Sequence, residues 1–267
     1  EEADKLISLK SDINALFNSP VLGYNSKDDI VYQFWANRDS HEVYYFDPKT
    51  DYAPTTAISS ISWDDPNFPN IEGFGVWAAK CNFTMGPDGK MYSRMLGGNL
   101  VRIDVENARG ENLTNGDLVG TKDGSAYGLV FDPQDENVFY FSNNDKHCIY
   151  KYDLRTKECA CWAGQEGKSG YLDGPIGQAM FNKPGQMCVD SEGNIILTDT
   201  ENHCIRKITM STGYVSTLAG KPQNSGYVNG SAEDAQFKKP LGICIDNDDV
   251  MYIGDSENRA IRRLAVE

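Results

Sequence analysis

Short runs of alternating apolar residues recur along the chain, separated by turns rich in Asp, Asn, Gly and Ser. In the clearest stretch, an apolar run at 186–190 meets the turn Ser191-Glu192-Gly193-Asn194. A second run at 195–198 meets Asp199-Thr200-Glu201-Asn202-His203, a third covers 204–209, and a fourth follows Ser211-Thr212-Gly213 at 214–218. Period-two runs of this length, bounded by turn formers, predict four short strands in an antiparallel meander. One such sheet cannot bury both of its faces alone. Copies packed radially can, and that arrangement is a β-propeller.

The copies are visible in the sequence. Residues 169–206 align without a gap on residues 225–262, an offset of 56 (225 − 169), and the matches include Tyr171/Tyr227, Phe181/Phe237, Pro184/Pro240, Asp199/Asp255, Asn202/Asn258 and Arg206/Arg262. A third copy at 126–152 aligns once two residues are inserted, so that His147-Cys148 falls on His203-Cys204. Weaker copies lie at 82–104 and 21–47, the latter preceded by Ala15-Leu16-Phe17-Asn18-Ser19-Pro20, an echo of Ala179-Met180-Phe181-Asn182-Lys183-Pro184. The expected architecture is a single all-β propeller domain over 1–267 with four-stranded antiparallel blades. Its five blades are expected at 11–60, 61–112, 113–164, 165–220 and 221–267, with six as the alternative count. The last copy ends on its third strand, and Lys5-Leu6-Ile7-Ser8-Leu9-Lys10 has the pattern of a fourth. Residues 1–10 are therefore expected to complete the last blade and leave no open sheet edge.

Composition narrows the function. The chain has 267 residues, 25 Lys plus Arg against 39 Asp plus Glu, and a net charge of −14. Phosphate binding depends on clustered Lys and Arg, so nucleic acid and anionic membrane surfaces are poor partners. No apolar run reaches the ~18 residues of a membrane span, so no direct membrane insertion is expected. The opening Glu1-Glu2-Ala3-Asp4 carries no charged-then-apolar leader, and a soluble chain is expected. The seven cysteines are odd in number and lack the spacing of a disulfide framework. Cys188/Cys244 and Cys148/Cys204 recur at equivalent blade positions, which reads as core filling.

The pattern Ala-x-Phe…Lys-Pro…Asp…Gly…Asp…Asn-His-x-Ile-Arg-Lys at 179–208, with its second copy at 235–264, resembles the NHL repeat. The whole chain is similar to the C-terminal propeller of TIG/NHL surface lipoproteins of Bacteroidetes. That resemblance implies an exported protein at the bacterial cell surface, outer membrane or periplasm. It also implies a role in capturing glycans or other small nutrients, beside an outer-membrane transport complex.

Catalysis has little support. The three histidines are His41, His147 and His203, two of them at one repeat position, and there is no GxSxG, P-loop or HExxH motif. A lactonase-like propeller uses acidic residues around a divalent cation such as calcium. Here, however, Asp199, Glu201, Asp255 and Glu257 recur between blades, whereas a catalytic residue is needed only once. No cofactor or metal site is assigned. The expectation is a non-catalytic ligand-binding propeller, with a metal-dependent hydrolase or lyase and a protein-interaction scaffold as the alternatives. Ligand contact is sought where the repeat is broken. The first three blades replace the regular turn with Trp35, Arg38, Arg94, Asn143 and Lys146, and add Trp77 and Tyr127 at the start of inner strands. Aromatic faces flanked by planar donors and acceptors suit a sugar ring, so these seven form the candidate binding set. The loop at 62–70 is a further candidate by its length.

Overall fold

The computed structural model describes residues 21–25, 30–36, 43–46, 54–58, 62–63, 84–94, 100–104, 106–114 and 128–265, with side chains from 84 onward. These residues form five sheets. The first is β1 (Val21–Asn25), β2 (Ile30–Ala36), β3 (Val43–Phe46) and β4 (Pro54–Ile58), in chain order. The second holds β5 (Ser62–Trp63), β6 (Thr84–Met85), β7 (Met91–Arg94), β8 (Leu100–Asp104) and β9 (Arg109–Asn112). The start of the 62–70 loop is thus not loop at all: β5 lies parallel to β9 at the outer edge of that blade. The third sheet is β10 (Leu129–Asp132), β11 (Asp135–Asn143), β12 (Cys148–Asp153) and β13 (Cys159–Gly164).

The fourth sheet contains β14 (Gly174–Pro175), β15 (Pro184–Val189), β16 (Ile195–Asp199), β17 (Cys204–Thr209) and β18 (Tyr214–Ala219), in the order β14-β18-β17-β16-β15. The fifth has three strands, β19 (Pro240–Ile245), β20 (Met251–Asp255) and β21 (Ala260–Leu264). The sheets pack as the blades of a propeller, as the repeat predicts. Residues 1–10, assigned from sequence to the closing strand, lie outside the described residues.

Strand alternation explains the packing. On β16, Ile195 and Leu197 join the core shared with blade 3, together with Tyr140, Ile149 and Phe181. Ile196 points the other way, into the core shared with blade 5, among Phe237, Ile243 and Ile253. Successive side chains of a strand face opposite sides of the sheet, so each blade feeds two cores and needs apolar residues on both faces. Blades 2 and 3 share a third core, built on aromatics: Tyr92 meets Phe131 edge-on at 4.9 Å, and Phe141 stacks on Tyr150 at 5.4 Å. In blades 3, 4 and 5 the turn between the first two strands is tied by an aspartate. Asp190 accepts from the backbone and side-chain nitrogens of Asn194, with Gly193 supplying the left-handed residue at φ 80°. In blades 3 and 5 the equivalent Asp132 and Asp246 accept the hydroxyl of a second-strand tyrosine, Tyr140 and Tyr252, and in blade 2, where Gly86 stands at that position, Asp88 two residues later accepts that of Tyr92.

Arg206 is the tie between blade 4 and the linker that precedes it. Its guanidinium is fully buried and donates to Asp199 at 2.7 Å, Asp173 at 2.6 Å, and the carbonyls of Met180 and Leu172. The rings of Tyr171 and Phe181 flank it at 4.8 and 5.2 Å. Arg262 repeats the arrangement with Asp255, Asn229, the carbonyls of Gln236 and Val228, and the rings of Tyr227 and Phe237. Asn202 adds bonds to Asp199 and to the Gly170 carbonyl. Removing one partner of a buried ion pair leaves the other charge uncompensated. Arg206→Met is therefore expected to cost about 3–5 kcal/mol in urea unfolding, whereas Arg155→Met, whose ion pairs are solvent-exposed, is expected to cost less than about 1 kcal/mol.

Candidate ligand-binding face

In blades 4 and 5 the turn between the second and third strands lies beside the linker entering that blade, so one face of these blades is built from the two segments. In blade 4 the turn is the 3-10 segment Thr200–Asn202, closed by His203 at φ 59°. The equivalent residues His147 and Arg259 also adopt left-handed conformations, at 57° and 54°. The histidines reach forward to the next blade. His147 Nδ1 accepts the backbone N–H of Lys183 at 3.1 Å, and His203 Nδ1 that of Lys239 at 3.2 Å. The same turns accept Gly167 N–H at the Lys146 carbonyl and Gln223 N–H at the Asn202 carbonyl. Thr198 and Thr200 donate to the carbonyls of Leu241 and Pro240 on β19. Each turn is thus a latch that holds the entry of the following blade.

In blades 4 and 5 the polar groups of this face are satisfied within the protein. Asp199 and Asp255 are held by arginine and asparagine, and Glu201 and Glu257 both pair with Lys239. The recurring acids are structural in the blades where they recur. Blade 3 departs from the pattern: Asn143 stands at the position of Asp199, and Tyr150 at that of Arg206. Asn143 is fully buried and accepts the Lys146 N–H at 3.1 Å. In place of the arginine, Tyr150 shares its surroundings with Cys148, Cys161 and Glu166. Burial pushes the Cys159 thiol nearby up to about 12, with Arg94 pulling the other way.

Of the seven residues singled out from sequence, the structure gives side chains for three. Arg94, at the end of β7, and Asn143, at the end of β11, are both fully buried, and Lys146 is half-buried in its turn. Trp35 sits on β2 opposite Tyr44, with its side chain outside the described residues. Arg38, Trp77 and Tyr127 lie outside them altogether. Sequence reading missed the role of Tyr171 and Phe181 as the two faces of the arginine clamp. The signal was present, since Tyr, Phe and Arg all recur at the 56-residue offset. The cysteines divide: Cys148 and Cys204 are buried as expected, while Cys244 is exposed on the face of β19 turned away from blade 4. The six cysteines among the described residues are free thiols.

The opposite face carries a cleft of about 260 Å³ between blades 4 and 5, where Asp190, Glu192, Asp249 and Lys207 surround an apolar floor of Ile196 and Met251. Its charges are mutually engaged. Lys207 pairs with Asp190 and Glu192, and Asp249 accepts from Ser191. Among the described residues, no group of three or more His, Cys, Asp or Glu is placed to hold a metal ion.

Residues 181–208, which span the β15–β17 meander and its histidine latch, match the NHL repeat. The chain carries an NHL repeat. The fold is accordingly an NHL-type β-propeller. The NHL propeller is 24% identical to a structural-genomics protein of unknown function from Bacteroides thetaiotaomicron, with a TM-score of 0.76 over 94% of this chain and 59% of that one. It is 23% identical to an auxiliary nutrient binding protein from the same organism, with a TM-score of 0.69 over 91% of this chain and 58% of that one. Protein SUPPRESSOR OF QUENCHING 1, chloroplastic, of Arabidopsis thaliana is 25% identical over 94% of this chain and 25% of its own length. The chain therefore spans a quarter of that relative and under two thirds of both bacterial structures.

The latch gives the NHL propeller a pH dependence. Burial, then the nearby Lys183 charge, holds the His147 imidazole below its ordinary value, so the folded chain favours the neutral ring that accepts the Lys183 N–H. The unfolded chain protonates this histidine below about pH 6.5. The contribution is complete above that pH and is lost as pH falls toward the lower folded value. Urea midpoints measured from pH 8 to 5 are expected to fall less steeply below pH 6.5 in His147→Gln than in the parent chain.

Proposed function

We propose that the chain is a non-catalytic propeller that binds a nutrient, with the turn face of blades 1–3 as its contact surface. One observation carries this reading. Blades 4 and 5 engage the Asp and Arg of their turns in the arginine clamp, whereas blade 3, which keeps the histidine latch, has replaced the clamp's Asp and Arg by Asn143 and Tyr150. A repeat that must only close a ring has no reason to differ from blade to blade, while a ligand has one orientation and selects against symmetry. The fold shared with an auxiliary nutrient binding protein supports the reading.

The ligand class we favour is a glycan. Trp35, Trp77 and Tyr127 would offer the flat apolar surfaces that the C–H face of a sugar ring covers, while Arg38 and Lys146 bond its hydroxyls. Arg94 and Asn143 are buried and in this reading hold the turns beneath the ligand. The setting is an exported protein at a bacterial cell surface, outer membrane or periplasm, handing its ligand to an outer-membrane transport complex. The net charge of −14 disfavours a nucleic acid.

Glycan-array screening followed by calorimetry, with EDTA and with calcium, tests this. Saturable binding of one polysaccharide class, unchanged by EDTA, is expected. Trp77→Ala is expected to weaken it by about 2 kcal/mol, roughly thirtyfold in Kd, at unchanged melting temperature. Substrate turnover abolished by EDTA would replace this reading with a metal-dependent enzyme, and full affinity in both Trp77→Ala and Lys146→Ala would remove these residues from the site.

A further inference from the structure

The two arginine clamps differ in one partner. Blades 4 and 5 share Arg206/Arg262, Asp199/Asp255, Tyr171/Tyr227 and Phe181/Phe237, but where blade 4 has Asp173, blade 5 has Asn229. The contact itself is the same. Arg206 Nη2 donates to Asp173 Oδ1 at 2.6 Å, and Arg262 Nη2 to Asn229 Oδ1 at 2.7 Å. A glycine follows in each case, with one backbone conformation: Gly174 has φ 152° and Gly230 has φ 150°. The position in blade 5 is thus shaped like a carboxylate site and holds an amide.

Asn229-Gly230 is also a reactive pair. A backbone nitrogen can attack the side-chain carbonyl carbon of the asparagine before it, and glycine crowds that attack least because it has no Cβ. Both residues are exposed. Among the described residues none accepts the Gly230 N–H, and none bonds Asn229 Nδ2, the nitrogen that would leave. The oxygen is held differently. Arg262 is fixed by Asp255 and by the carbonyls of Gln236 and Val228, and it aims its charge at Oδ1. A fixed donor at an oxygen that becomes negative in the transition state lowers the barrier.

We propose that Asn229-Gly230 is a site of spontaneous deamidation, promoted by Arg262, and that its aspartate product completes the clamp of blade 5. Water is the only co-reactant. The Gly230 nitrogen gives its proton to hydroxide and bonds to Asn229 Cγ, while the carbonyl π electrons move onto Oδ1 beside the guanidinium. Collapse of this intermediate expels Nδ2, with a proton from water, as ammonia and leaves a cyclic imide. A second water opens the imide. Opening at Cγ restores the ordinary peptide bond and leaves an aspartate, which gives Arg262 a second carboxylate as Asp173 gives Arg206. Opening at the main-chain carbonyl routes the backbone through the side chain and takes the new carboxylate out of the clamp.

Peptide mass spectrometry of the full folded chain, held at mildly alkaline pH, tests the site. The mass gain of NH2 replaced by OH is expected at Asn229 at least about tenfold faster than at Asn224, which lies in the same linker, precedes Ser225 and bonds the Pro222 carbonyl. Loss of Asn229 in the folded chain is expected to match or exceed its rate in urea, where Arg262 lets go. Equal rates at Asn229 and Asn224 would overturn the proposal. So would an Asn229 that survives in the folded chain but converts in urea, because the fold would then protect it. Asn229→Asp tests the completed clamp and is expected to raise the melting temperature by about 2–4 °C. A melting temperature at or below that of the parent chain would overturn that part.

Discussion

A guanidinium held between two aromatic rings organises this propeller. Arg206 has no exposed surface, yet it keeps its charge because Asp199 and Asp173 balance it and two linker carbonyls accept further bonds from its terminal nitrogens. The clamp turns a polar group into a fastener: in blades 4 and 5 it fixes the long segment before the inner strand, which has few strand bonds of its own. With that segment fixed, Phe181 fills the seam between blades 3 and 4, and Lys183 is presented to His147. The seam core and the latch both depend on it.

The repeat made the fold legible. Four short runs per copy, and two copies matching without a gap, predict the meander, and the observed strands of blade 4 end within two residues of the predicted ones. The recurring acids and histidines were also readable as structural, because a residue repeated from one blade to the next serves the blade. What pattern alone could not supply was direction. That Arg206 turns back to the linker, or that His147 reaches forward to Lys183, depends on three-dimensional neighbours 26 or more residues away in sequence. Nor could sequence tell that Arg94 and Asn143 are buried: both are polar residues in turn-rich surroundings, where exposure is the ordinary expectation. Ser62 and Trp63 were hidden for another reason, since a two-residue strand has no periodicity to detect.

The blades divide the labour unequally. Blades 4 and 5 keep the clamp, whereas blade 3 keeps only the latch, trades the ion pair for a tyrosine among thiols and packs its core with aromatics instead. Aromatic burial is not directional in the way a four-bond guanidinium is. It frees the turn above from a fixed set of partners, and turns so freed are where loops acquire specificity.

The alternation along β16 also limits how such a chain can change length. Ile195 and Leu197 belong to one core and Ile196 to the next, so a single residue inserted within the strand would exchange the side chains offered to two neighbouring blades at once. Length can vary only where parity does not matter. The two additional residues of blade 3 obey this: they fall in the hairpin between Asp132 and Val138, where the pairing of β10 with β11 shifts register at Phe131/Asp132 and recovers before the core begins. A repeat protein of this kind can diverge freely in its hairpins while its strands remain locked to a common count.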